Sequence, residues 1–120
     1  MEAAFGNLAD EGKVEFSMIH VIATIEIAPG RRDDFLSAFQ ELVPDVRAET
    51  GCVEYGPAVD LATTIGDPPA EPRENVVTVI EKWLSVEALK QHLEAPHMQR
   101  YRRTVKDIVK AVAIRVLEPA

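Results

Sequence analysis

An α+β domain, with a four-stranded antiparallel sheet carrying its helices on one face, is predicted by two observations. The first is the order of hydrophobic periods along the chain: alternation, helical spacing, two further alternating stretches, helical spacing again, and a last alternating stretch. The second is a cluster after the third strand. The only tryptophan, two of the three histidines and one of the two tyrosines fall between Trp83 and Tyr101.

The first strand is MIHVIATIEI, from Met18. It puts Ile19, Val21, Ala23, Ile25 and Ile27 on an apolar face and His20, Ile22, Thr24 and Glu26 on a mixed one. Ala28, Pro29 and Gly30 supply turn chemistry. Residues 31–50 follow as an amphipathic helix with Phe35, Phe39, Leu42, Val43 and Val46 on its inner side. Pro44 cannot donate to the carbonyl of Gln40, so a kink is expected there, and Gly51 suits a left-handed helix end. CVEYGPAVD reads as a second strand, and Pro57 favours an edge position for it.

Leu61 to Glu74 has no period and contains three prolines and a glycine. A loop of that length is either a lid, an interface element or a tolerated insertion. The third strand, Val76 to Trp83, is rich in branched residues. Ser85 is then an N-cap for a helix carrying Val86, Leu89 and Leu93. Pro96 ends that helix and starts another, whose stripe is Met98, Tyr101, Val105 and Ile108. VKAVAIRVLE closes the chain as a fourth strand, with Val112, Ile114 and Val116 on one side.

Strand, helix, strand, strand, helices, strand is the split βαβ order of a ferredoxin-like fold. A single domain over residues 17–120 is predicted, preceded by an acidic, flexible arm at residues 1–16 with four acids and one lysine. Apolar residues fall on both faces of the third strand: Val77, Val79 and Trp83 on one, Val76 and Ile80 on the other. A monomer would leave one set in water, and a second copy stacked sheet to sheet would cover it, so a homodimer is expected.

Composition narrows the function. The net charge of −7 argues against nucleic acid as the main partner. No apolar run approaches the ~18 residues of a membrane span. One cysteine, Cys52, permits no internal disulfide, and the N-terminus lacks a signal-peptide core, so a cytoplasmic location is expected. A Gly-rich phosphate loop and Cys/His metal spacing are missing, and His92 and His97 are five apart rather than four. No metal and no cofactor is expected.

RAETGCVEY followed by EKWLSVEALKQHLEAPHMQRY resembles the antibiotic biosynthesis monooxygenase superfamily, and in particular its quinol-monooxygenase-like members. The similarity covers about residues 18–118 and rests on Gly51-Cys52-x-x-Tyr55, Glu81-x-Trp83 and the histidine nine residues beyond the tryptophan. It implies a dimeric α+β barrel and a monooxygenase that oxidises a quinol or polyphenol with O₂ and no cofactor. Two departures stand out: the long Leu61–Glu74 loop, and Val79 where one subgroup has an asparagine four residues before the tryptophan.

His92 is the candidate general base, since an imidazole titrating near neutrality can take a phenol proton. Trp83 is the candidate wall against which an aromatic substrate stacks. His20, Tyr55 and Tyr101 are candidate substrate contacts, and Glu81 is expected to pair with a basic group. His97 reads as a helix-start or surface residue. Two other functions fit the same residues. One is a non-catalytic dimeric barrel that binds a small ligand or serves in stress response. The other is haem degradation, for which the resemblance requires an asparagine where Ala23 stands.

Overall fold

The structure, a computed structural model, describes residues 17–120; the predicted acidic arm at 1–16 lies outside them. Seven elements follow in the predicted order: β1 (Ile19–Ile27), α1 (Arg32–Arg47), β2 (Cys52–Ala58), β3 (Val76–Trp83), α2 (Val86–Glu94), α3 (Pro96–Thr104) and β4 (Val109–Leu117). The four strands form one antiparallel sheet in the order β2-β3-β1-β4, a ferredoxin-like arrangement. Pro57 therefore does lie on an edge strand, where its missing N–H costs no ladder bond.

Alternation decides which side chains meet the helices. Val21, Ala23, Ile25 and Ile27 of β1 are buried, as are Val77, Val79, Glu81 and Trp83 of β3. Register places them side by side, with Val21 opposite Glu81, Ala23 opposite Val79 and Ile25 opposite Val77. Phe35, Phe39, Leu42, Val43 and Val46 of α1 pack into the same core with Leu89 of α2 and Met98 of α3. The opposite sheet face is mixed rather than apolar, pairing Thr24 with Thr78, His20 with Lys82 and Ile22 with Ile80.

This shifts the expected exposed patch. Val77, Val79 and Trp83 are under the helices, and the uncovered apolar surface lies mainly at β4. Val112, Ile114 and Val116 pair with Ile25, Ala23 and Val21, so they share the core-side face. They are nonetheless 54%, 52% and 50% exposed, because the helices stop short of this edge.

The helix boundaries follow local chemistry. Ser85 caps α2, its Oγ accepting from the N–H of Ala88 at 3.1 Å. Ala95 is extended between α2 and α3, and Pro96 occupies the first turn of α3. That suits a residue with fixed φ and no N–H to leave unpaired. α1 continues through Pro44 and closes at Arg47, so Gly51 does not cap it as expected. Gly51 serves a different need. Its φ is +86°, and a Cβ there would sit 2.6 Å from Cβ of Ala88. The turn from α1 to β2 can press against α2 only because this position has no side chain.

The loop at 61–74 is clamped at its feet. Asp60 accepts two hydrogen bonds from the Arg73 guanidinium, at 2.8 and 3.0 Å, and one from the Arg73 backbone N–H at 2.8 Å. The paired guanidinium holds the Asp60 carboxyl well below the usual range, at about 2.

Gly51→Ala should be strongly destabilising, because it combines a left-handed φ with a clash against a helix. A loss on the order of 2 kcal/mol is expected. Urea denaturation will measure it, and a variant as stable as the parent would show that the turn can move off α2.

Candidate active site

A cavity of about 440 Å³ lies between the sheet and the helices. Ala23, Ile25 and Val79 form its floor, and Phe39, Tyr55, His92, Met98 and Tyr101 line its walls. Arg102 and Lys106 border it on the α3 side, and Val112 and Ile114 continue it towards the uncovered β4 edge. The lining is chiefly apolar with a few polar groups, the usual make-up of a small-molecule site. No residue of the 61–74 loop borders it.

His92 is brought here by the last turn of α2, which turns this residue inward with Ala88 and Leu89. The ring is almost wholly buried, 4.7 Å centroid to centroid from Trp83 and 5.3 Å from Tyr55. Its Nδ1 is 3.0 Å from Oε2 of Glu49. Burial pushes the His92 pKa below its ordinary value, outweighing the opposing pull of the Glu49 carboxylate. The ring is therefore neutral near pH 7. A neutral imidazole facing a carboxylate places its proton on that nitrogen, so Nδ1–H donates to Glu49. Nε2 then carries the lone pair of a ring that lines the cavity. An imidazole oriented by a carboxylate in this way is chemically able to accept a proton.

Glu49 carries no sequence signature. It lies in the turn after α1, 43 residues before His92, and no local motif joins them. The same Oε2 hydrogen-bonds Nε2 of His97, so His97 is part of the site's framework rather than a free surface residue.

Trp83 takes a different place from the one expected. It is fully buried and does not line the cavity; it lies behind the His92 ring. Its Nε1–H donates to Oε1 of Glu81 at 2.8 Å, so Glu81 pairs with an indole and not with a basic group. Trp83 is thus placed to support the His92 ring and to orient Glu81. Tyr55 and Tyr101 both border the cavity, and burial raises both phenols above their ordinary range, so both stay protonated. His20 is on the far face of the sheet, because strand alternation gives the cavity side to its neighbours Ile19 and Val21. Arg102 and Lys106, which fall outside the apolar stripe of Met98, Tyr101 and Val105, also border the cavity. Arg102 is fixed there by donating to the carbonyl of Leu93 at 2.6 Å.

Glu81 is the second unusual group. It lines the cavity and is 6% exposed, and burial pushes its carboxyl up to about 7 despite the bond from Trp83. Among the described residues, no group of three or more His, Cys, Asp or Glu side chains is arranged to hold a metal ion.

With the cavity and its His92–Glu49 pair in view, comparison with known proteins places the chain. Residues 18–104 match the family model described as antibiotic biosynthesis monooxygenase, and the chain belongs to that family. It is 38% identical over 104 residues to the Escherichia coli K12 protein named "Probable quinol monooxygenase YgiN", covering 85% of this chain and 98% of that one. Among solved structures it is similar to PA3566 from Pseudomonas aeruginosa, with TM-score 0.71 and 27% identity over 87% of this chain and 95% of that one. Rv0793 from Mycobacterium tuberculosis is also similar, with TM-score 0.68 and 27% identity over 87% and 96%.

The raised pKa of Glu81 predicts a stability signature. A carboxyl whose folded pKa exceeds its unfolded value of 4.5 binds more protons in the native state. Its contribution is fully present below about pH 4.5 and is lost as pH rises through about 7. Glu81→Gln keeps an acceptor for Trp83 without the charge. Its stability relative to the parent should therefore improve by on the order of 3 kcal/mol between pH 4.5 and pH 8. Urea titrations at both pH values test this, and a pH-independent difference would contradict it.

Proposed function

We propose that this chain is a cofactor-independent monooxygenase that oxidises a quinol or polyphenol with O₂, the reaction taking place in the cavity beside His92. The observation that carries the reading is the buried, neutral His92, held by the Glu49 carboxylate with Nε2 left as acceptor. The name of the Escherichia coli relative supports the same substrate class.

The chemistry follows from the base. His92 Nε2 takes a phenol proton, and the resulting phenolate is electron-rich enough to give one electron to O₂. Arg102 and Lys106 on the α3 side of the cavity favour that anion. Semiquinone and superoxide then combine, forming a C–O bond at a ring carbon beside the oxidised C–O group. Cleavage of the O–O bond, with the ring C–H proton lost and a proton returned by His92, releases water and leaves a carbonyl. For a hydroquinone the balance is quinol plus O₂ giving hydroxyquinone plus water. The substrate loses four electrons, and O₂ gains four. Trp83 is assigned a positioning role behind His92, and Tyr55 and Tyr101 shape the pocket.

The active unit is proposed to be a homodimer. The support is the half-exposed row of Val112, Ile114 and Val116, which continues the cavity lining out to an open sheet edge. Closing that side with a second copy would remove apolar surface from water and seal the cavity. The cytoplasm is the proposed location, as a compartment that keeps the free thiol of Cys52 reduced.

His92→Ala should lower the oxidation rate of a responsive hydroquinone by about 10²–10⁴-fold. The deficit should shrink at alkaline pH, where the phenol ionises without help. Oxygen consumption across a hydroquinone panel measures this. Wild-type protein that binds quinols without consuming O₂ would favour the non-catalytic binding module instead.

Light scattering coupled to size exclusion should give about twice 13.3 kDa at micromolar concentration. A mass of one chain would leave the β4 patch uncovered and remove the proposed seal.

A further inference from the structure

His92 and His97 address the same atom, Oε2 of Glu49. They differ in surroundings. The His92 side chain is 2% exposed and lines the apolar cavity. The His97 side chain is 19% exposed and borders a separate, open groove of about 240 Å³ between α1 and α3. Glu49 thus joins a buried imidazole to one that reaches solvent.

We propose that His97 is the proton outlet of the site: when His92 takes the substrate's proton, His97 releases one into the α1–α3 groove, because the shared Glu49 oxygen balances one imidazolium at a time. The inference rests on the oxygenase reading above, which supplies the proton.

The physical basis is charge neutralisation at one atom. Two imidazolium rings converging on a single carboxylate oxygen would leave one positive charge uncompensated in a largely dry region. A proton arriving at His92 therefore favours the departure of one from the His97 side of the shared carboxylate. The charges around the two rings differ. Glu41 and Asp45 of α1 line the groove beside His97, with Arg100 of α3 opposing them. His92 faces Glu49 and the nearby positive charge of Arg102, with Glu81 of β3 and the neutral Tyr55 of β2 also at the cavity wall.

The proton count closes over a turnover. The phenol proton moves to His92 Nε2, and His97 gives one to solvent, so the phenolate is held without extra charge while O₂ arrives. When His92 returns its proton at O–O cleavage, His97 regains one from the groove. No net proton is gained or lost. His97 is accordingly a positioning and transfer residue, and it need not touch the substrate.

The test uses the full chain and His97→Gln, whose side-chain amide can still donate to Glu49. NMR titration of the imidazole signals, assigned with His20→Asn and His92→Gln, should show His92 and His97 protonating in linked steps. In His97→Gln the His92 midpoint should rise by about one pH unit as the competing charge is removed. Turnover by His97→Gln should fall several-fold in dilute buffer and recover on adding imidazole, which should leave wild type unchanged. His97→Asn serves as a second variant if the first melts early. An unmoved His92 midpoint in both variants, or a rate that ignores added imidazole, overturns the outlet while leaving the oxygenase reading intact. Linked titration in a wild-type protein that oxidises no hydroquinone overturns the oxygenase reading, and the outlet with it.

Discussion

A single carboxylate oxygen ties the site together. Oε2 of Glu49 joins the turn between α1 and β2 to the last turn of α2 and the first turn of α3. Three segments that share no local pattern are thereby fixed against one another, and the orientation of the His92 ring follows. This arrangement depends in turn on the absence of a side chain at Gly51, which lets the Glu49 turn approach Ala88. Packing density and proton placement are therefore set in one short stretch of chain.

Behind that stretch the core is organised to hold polar groups that would otherwise be costly to bury. Glu81 is satisfied on one oxygen by the Trp83 indole, and the indole is wedged against His92 and Tyr55. Buried hydrogen-bonded side chains of this kind are most useful where their geometry has to be unique. Here Glu81 and His92 stand in the cavity wall, with Trp83 behind the His92 ring. The two carboxyl groups have different tasks: Glu49 orients an imidazole, while Glu81 is poised to change charge near neutrality.

Much of the fold was legible because alternation in strands and helical spacing are both dictated by burial. β1 and β3 announced their core faces through Val21, Ala23, Val77 and Val79, and the edge position of β2 was readable from Pro57. His92 shares the buried face of α2 with Ala88 and Leu89, four and three residues before it, a spacing visible in the chain itself. Other features were not readable, for physical reasons. Glu49 acts through contacts made only once distant segments have packed. Trp83 looked like a substrate wall because a large aromatic at a strand end suits either task, and only the placement of α2 decides that His92 lies in front of it. His20 could have been set aside earlier: a cavity under the helices belongs to the apolar face of β1, and His20 has the opposite parity. Arg102 falls outside the apolar stripe of α3, and its direction depends on its bond to the Leu93 carbonyl.

The clamp between Asp60 and Arg73 has a bearing on how such a domain can change over time. Three hydrogen bonds close the neck of the 61–74 segment before it leaves the body of the protein. The entropy of closing a loop grows only slowly with its length once the ends are fixed. Residues can then be added or removed beyond the neck with little effect on the register of β2 and β3. None of that segment borders the cavity, so its surface can diversify while the cavity lining is kept. The fold thus carries an independently evolvable appendage, a place where new recognition can be acquired without rebuilding the interior.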